Sequence, residues 1–318
     1  MTDPKMIKPS ALHPGGTIGV VSPSKWAEPV KLERAGQVLE EAGYRILWGE
    51  SSQAREHQYA GSPELRAKDL EAMFINPDVD AIFCARGGYG AFRVGDRLDY
   101  KLIQEHPKIF MGFSDITTLL LSITQKTSLI TFHGPMLHTF FKGLEQLSFS
   151  YLKSVLSGQG RSIALSDIPN VTVLREGKAT GELWGGNMYL SLARAGTPTQ
   201  LDTEGKVLFL EDVNEPYHKL ETMFQQLRRG GLLDSISGLI IGEILDIPEE
   251  EIPFGISVED IIMEACEGLD IPIVSGVPCG HGSSILTFPI SLPVSLTVSH
   301  KQVTLDFMES PVEDPTAT

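Results

Sequence analysis

Cysteine is scarce in this 318-residue chain. Cys84, Cys266 and Cys279 are too few and too far apart for a disulfide framework or a C-x-x-C metal knuckle, so a reducing cytosol is the natural setting. Basic residues are also in deficit: 26 Lys and Arg against 41 Asp and Glu leave a formal net charge of −15. No basic stripe is present to neutralise phosphates, which argues against a nucleic-acid groove. No run reaches the roughly 18 apolar residues that span a bilayer. The opening residues, with Asp3, Lys5 and Lys8 ahead of any apolar run, do not read as a signal peptide. H-E-x-x-H is missing and no His or Cys pair has ligand spacing, so neither a metal nor a cofactor is expected. A soluble cytoplasmic protein is the expectation, its tail from Ser310 to Thr318 the loosest part.

What is present fits a globular chain of two domains, with 42% hydrophobic and 21% charged residues. Short apolar runs at Thr17 to Val21, Tyr44 to Trp48, Ala81 to Ala85, Ile109 to Met111 and Leu129 to Phe132 alternate with helical spacing at Val30 to Ala42, Pro63 to Phe74 and from Thr117 onward. That alternation marks an α/β domain on a mostly parallel sheet. The polar, Gly-rich stretch around Gly158 to Ser162 predicts a linker over 156–169, separating residues 1–155 from a second α/β domain over 170–318. In the second half, Val171 to Leu174 reads as β, Gly177 to Gly181 as β and turn, and Met188 to Ala195 as helix. Lys206 to Leu210, Ile236 to Ile244 and Ile273 to Val277 are strands, with helices over His218 to Leu227 and Val258 to Cys266. Val294 to Val298 and Gln302 to Asp306 alternate about Ser299-His300-Lys301 as a closing β-hairpin.

One stretch organises the first half. Ile109 to Met111 meets Gly112, then Phe113, Ser114 and Asp115, then the apolar opening of a helix at Thr117: strand, sharp turn, helix. Such a turn exposes a serine Oγ at the carboxyl end of a sheet and aims the following N–H groups where an oxyanion forms. Ser114 is therefore a candidate nucleophile. It is equally a candidate N-cap, since Ile116 stands where the second Gly of G-x-S-x-G would be. Arg86-Gly87-Gly88-Tyr89-Gly90 follows the third strand; it matches neither phosphate-loop pattern, but its glycines let backbone approach a bound group, or simply make a tight turn.

A serine nucleophile needs a base and a carboxylate to hold that base in the right tautomer. Of eight histidines, His281 sits at a strand end between Gly280 and Gly282, where small neighbours leave the imidazole accessible; His133 and His138 are competitors. Glu211, directly after the Lys206 to Leu210 run, is the leading acid, with Asp212, Glu215 and Glu221 as rivals and the start of a solvated loop as the plain alternative.

These blocks, together with Leu183-Trp184-Gly185-Gly186-Asn187, stand in the order and spacing of the LD-carboxypeptidase family of serine peptidases, which the chain resembles from about Thr17 to Phe307. The resemblance implies Ser114 as nucleophile, His281 as general base and Glu211 as its partner. It also implies an oxyanion hole from the backbone N–H of Asp115 with Gly88 or Gly87, and a cytoplasmic homodimer. With the nucleophile in one domain and its partners in the other, activation would require correct docking of the two. The expected substrate is a peptide, a cytoplasmic murein tetrapeptide losing D-alanine, bound by Arg86, Gly87, Tyr89 and Trp184; Arg86 meets the terminal carboxylate or else makes a structural ion pair. The alternatives are a microcin C immunity-type peptidase acting on a nucleotide antibiotic, with Trp184 stacking on adenine rather than packing in the core, and a non-catalytic ligand-binding protein on the same scaffold.

Overall fold

The structure is a computed structural model describing residues 6–248 and 251–313. The expectations for residues 1–5 and for residues 314–318 of the tail lie outside the described residues. The described residues form two compact units, one from 6–160, 283–291 and 310–313, the other from 161–248, 251–282 and 292–309.

The first unit is built on five parallel strands, β1 (Thr17–Val21), β2 (Arg45–Trp48), β3 (Ala81–Cys84), β4 (Ile109–Gly112) and β5 (Thr131–His133), hydrogen-bonded in the order β5-β4-β3-β1-β2. β1, β3 and β4 are buried along their whole length, which is why they read as unbroken apolar runs instead of alternating ones. The connecting helices are α1 (Pro29–Glu41), α2 (Pro63–Ile75), α3 (Ala91–Gly95), α4 (Tyr100–Glu105), α5 (Thr117–Thr127), α6 (Leu137–Lys142) and α7 (Gln146–Leu156). Their starts follow local chemistry. Proline opens α1 and α2, Ser62 accepts from the Leu65 N–H, and Asp99 accepts from Lys101 and Leu102. Chain order reverses between β1 and β3, so the loops leaving these two strands diverge around a switch point at the carboxyl edge of the sheet, where such sheets bind ligands.

β5 lies later than the apolar run Leu129 to Phe132 suggested, because Leu129 is bridged by Ile7 and Ile130 donates to the Ile7 carbonyl. The near end of the tail is also held, contrary to expectation: Val312 is buried, and Glu313 exchanges backbone hydrogen bonds with Pro9 and Ala11.

The second unit carries β6 (Ser162–Ala164), β7 (Thr172–Arg175), β8 (Gly177–Asn187), β9 (Val207–Val213), β10 (Gly238–Leu245) and β11 (Ile273–Val277), with α8 (Met188–Leu192), α9 (Tyr217–Arg229) and α10 (Val258–Ala265). The chain then returns to the first sheet as β12 (Phe288–Ile290), antiparallel to β5, before closing the second unit with the hairpin β13 (Pro293–Ser299) and β14 (Gln302–Phe307). The second sheet has the order β6-β14-β13-β8-β9-β10-β11-β7. Its first half is antiparallel, while β8 to β11 run parallel.

Three sequence expectations change here. The segment 156–169, expected as a linker, contains β6, which pairs with β14. Gly177 to Gly181 is not a turn but the first half of one long strand. Glycines recur along it because neighbouring backbone crowds it: a Cβ on Gly185 would stand 1.7 Å from the Phe209 carbonyl oxygen. Finally, β9 runs on through Glu211 and Asp212, both buried, so these acids lie inside a strand and not at the start of a solvated loop.

Candidate active site

The first cluster gathers at the carboxyl edge of the first sheet. β4 ends at Gly112, where a Cβ would meet the Ile116 side chain at 2.8 Å; the turn folds so tightly that Ile116 packs back on the strand end. Ser114 then adopts φ 60°, the left-handed region that a serine enters only under strain of about 1 kcal/mol or more. A residue serving only as an N-cap has extended backbone, so Ser114 is not placed as a simple N-cap is.

Asp115 braces the turn. Its buried carboxylate accepts from Ser24 Oγ at 2.5 Å and from the Ala91 N–H at 3.0 Å, tying the loops after β1 and β3 to the turn after β4. Burial pushes its pKa up, partly offset by those hydrogen bonds and by the charge of Arg66. Arg66, fully buried on α2, donates to the carbonyls of Pro23 (2.8 Å) and Gly90 (3.2 Å) and ties the same two loops together. Sequence reasoning missed Ser24 and Arg66: a serine in a loop and an arginine on a helix carry no local signal of such work.

Gly87 lies against Ser114, for a Cβ there would stand 3.0 Å from Ser114 Cβ and 3.1 Å from its Oγ. Gly88, at φ 125°, faces Lys25 instead. Tyr89 is exposed, its hydroxyl on Gln58 Oε1, its ring edge-on to Tyr59 and beneath the Lys25 ammonium.

The second cluster lies in the second unit. His281 Nδ1 meets Glu211 Oε2 at 2.8 Å, and Glu211 is 0% exposed. Room for this buried carboxylate comes from two glycines: a Cβ on Gly280 would stand 2.6 Å from Glu211 Oε2, and one on Gly242 would stand 2.8 Å from Glu211 Cβ. Asn187, at the end of β8, donates from Nδ2 to Glu211 Oε1 (3.3 Å) and to Asp212 Oδ1 (3.2 Å) while its own Oδ1 caps α8. Sequence reasoning named Asn187 only as part of a motif and gave it no role. Asp212 accepts from the N–H groups of Tyr189 and Val213, and burial, helped by the charge of Glu211, raises its pKa to about 6.

Two of the rivals are placed elsewhere. His133 is fully buried with its ring 6.0 Å from Phe113, and Glu215 pairs with Lys219. Trp184 is 7% exposed, donates to Glu182 Oε2 at 2.8 Å and lies under Lys206, which are the contacts of a packed side chain.

The sequence profile of the LD-carboxypeptidase N-terminal domain matches residues 18–134, and that of the C-terminal domain matches residues 180–296. The chain belongs to the LD-carboxypeptidase family. Within this family it is 35% identical over 303 residues to a probable murein peptide carboxypeptidase of Bacillus subtilis, covering 94% of each chain. It is 25% identical over 325 residues to the microcin C7 self-immunity protein of Escherichia coli, covering 92% of this chain and 93% of that one. The solved muramoyltetrapeptide carboxypeptidase of Oxalobacter formigenes superposes with a TM-score of 0.83 at 26% identity, covering 94% of this chain and 99% of the other. Membership of the LD-carboxypeptidase family makes this chain a serine-type carboxypeptidase, a hydrolase. Among the described residues, no helix is long and apolar enough to cross a membrane.

Proposed function

We propose that this protein hydrolyses the L,D peptide bond that releases C-terminal D-alanine from murein tetrapeptide, working in the cytoplasm as a homodimer in cell-wall recycling. The observation that carries the reading is the 2.8 Å contact of His281 Nδ1 with a carboxylate sealed from water, supported by the left-handed Ser114 on the turn after β4.

In the proposed reaction Ser114 Oγ attacks the carbonyl before the terminal D-residue. His281 Nε2 takes the serine proton, and Glu211 holds Nδ1–H and stabilises the imidazolium that forms. The oxyanion is met by the backbone N–H groups of Asp115 and Gly88, donors of a kind worth about 3–4 kcal/mol each in the transition state. The Asp115 side chain, pinned to Ser24 and Ala91, keeps that peptide in place before substrate arrives. Collapse passes the proton from His281 to the leaving amine, and water then clears the acyl-enzyme by the same route.

The immunity-type reading leaned on Trp184 as an adenine platform, and its buried indole gives that reading no support. The test is to incubate the protein and its Ser114→Ala variant with murein tetrapeptide and with a peptidyl-nucleotide antibiotic. D-alanine released by the parent alone is expected; nucleotide release alone would overturn the murein assignment, and release of neither product would favour a binding protein.

A further inference from the structure

Next to the Ser114 cluster stands a cation that no acid among the described residues neutralises. Arg86, half-buried at the end of β3, donates from Nη1 to the Trp26 carbonyl at 3.4 Å, a long bond, and its Nε is buried with no hydrogen-bond partner. Among the described residues no carboxylate lies within ion-pair distance of it, although the chain carries an excess of 15 acidic residues. A structural ion pair is therefore not its role. A guanidinium taken partly out of water without a counter-ion costs stability, and an anion at its open terminal nitrogens offsets that cost.

The surroundings say which ligand. His138, whose N–H donates to the Ala85 carbonyl, stands beside Arg86 on α6. Burial first, then the charges of Arg86, Lys142 and Lys31, with only Glu28 opposing, hold its pKa down at about 4. At neutral pH the imidazole is an uncharged hydrogen-bonding group next to a fixed positive charge. The next residue, Gly87, touches Ser114, so Arg86 is one residue removed from the backbone that flanks the nucleophile. In a peptide whose last bond is cut, the terminal carboxylate carbon is likewise about one residue, roughly 3.8 Å, from the scissile carbonyl.

We propose that Arg86, with His138 beside it, anchors the free α-carboxylate of the leaving residue and thereby confines the enzyme to chain ends. This rests on the carboxypeptidase reading above and adds a specificity element to it. The planar guanidinium takes both carboxylate oxygens through its two terminal nitrogens, a bidentate fork for which Nη1 gives up its long bond to the Trp26 carbonyl. His138 limits how far the bound group can swing.

The test compares one tetrapeptide as the free acid and as its C-terminal amide, with wild type, Arg86→Gln, Arg86→Lys and His138→Gln. Wild type prefers the acid by roughly 10- to 100-fold in kcat/KM, the span expected for hydrogen bonds to a charged group. Arg86→Gln brings that ratio close to one by losing activity on the acid alone, Arg86→Lys keeps part of it as a point charge, and His138→Gln lowers it less. Wild type cleaving acid and amide alike, or Arg86→Gln keeping the preference, overturns the proposal while leaving the hydrolase reading intact. Wild type cleaving neither overturns both. Circular dichroism and thermal unfolding accompany each variant; if Arg86→Gln and Arg86→Lys both fail to fold, Arg86 is structural and the proposal falls.

Discussion

Glu211→Gln changes one atom in a site with no slack. Glu211 Oε1 accepts from Asn187 Nδ2 and Oε2 from His281 Nδ1–H, with no exposure to water. Glutamine has the same shape, so the fold should hold, but Asn187 can donate only to its carbonyl oxygen, which turns the amide NH₂ toward His281. The imidazole must then accept at Nδ1 and carry its proton on Nε2, the nitrogen that should receive the serine proton. A carboxylate-to-amide change that fixes the wrong tautomer costs about 10⁴ in kcat, equivalent to roughly 5 kcal/mol of transition-state stabilisation. Steady-state D-alanine release measures the rate, and ¹⁵N NMR of the His281 ring reads the tautomer. A loss below about tenfold, or a ring still protonated at Nδ1, would refute the reasoning.

Ser114→Gly removes the proposed nucleophile and also the left-handed strain at φ 60°; activity should vanish while the melting temperature rises by about 2–4 °C for a gain near 1 kcal/mol, and an unchanged or lower melting temperature would contradict the strain. Asp212 titrates at about 6 in the folded protein against an ordinary 3.8, mainly because burial disfavours its charge. The folded state binds that proton more tightly, so this group's contribution to stability is full below about pH 4, falls as pH rises through about 6 and is level beyond. Asp212→Asn should flatten that part of the pH–stability curve in urea titrations, and parallel curves for the two proteins would count against it. Cys84, Cys266 and Cys279 are all buried, with burial raising each pKa, that of Cys266 to about 11; a thiol reagent at neutral pH should label none of them until the protein is denatured, and fast labelling of the native chain would show an opening that the packing does not provide.

The parallel strands, the capped helices and the turn at Gly112 to Ser114 were legible because each is encoded within a few residues. An unbroken apolar run marks a strand covered on both faces, and a serine or aspartate before helical spacing marks a start. Glu211 was legible as an acid near a strand, but not as an acid within one. Nothing in Phe209-Leu210-Glu211-Asp212 says that two consecutive carboxylates will be sealed from water; that depends on Gly242, Gly280 and Asn187, which arrive from other elements. Arg66 and Ser24 were invisible for the same reason, since their partners are backbone and side-chain atoms of loops brought together only by the sheet. The glycines of Gly177 to Gly181 misled in the other direction, because crowding by neighbouring backbone, as at Gly181, and freedom in a turn select the same residue.

By itself, then, the sequence determined most of the core strands and the longer helices, where the chain must turn at Ser114, and through its ordered motifs the family. Only tertiary structure decided that the imidazole of His281 meets a carboxylate 70 residues away, that Asp115 serves by its side chain as a strut, and that Arg86, next to the Gly87 that lies against Ser114, has no ion-pair partner among the described residues. Periodicity and propensity act over one or two turns of chain, whereas a buried carboxylate's partners and an arginine's lack of one are set by strand register and packing between residues far apart in sequence.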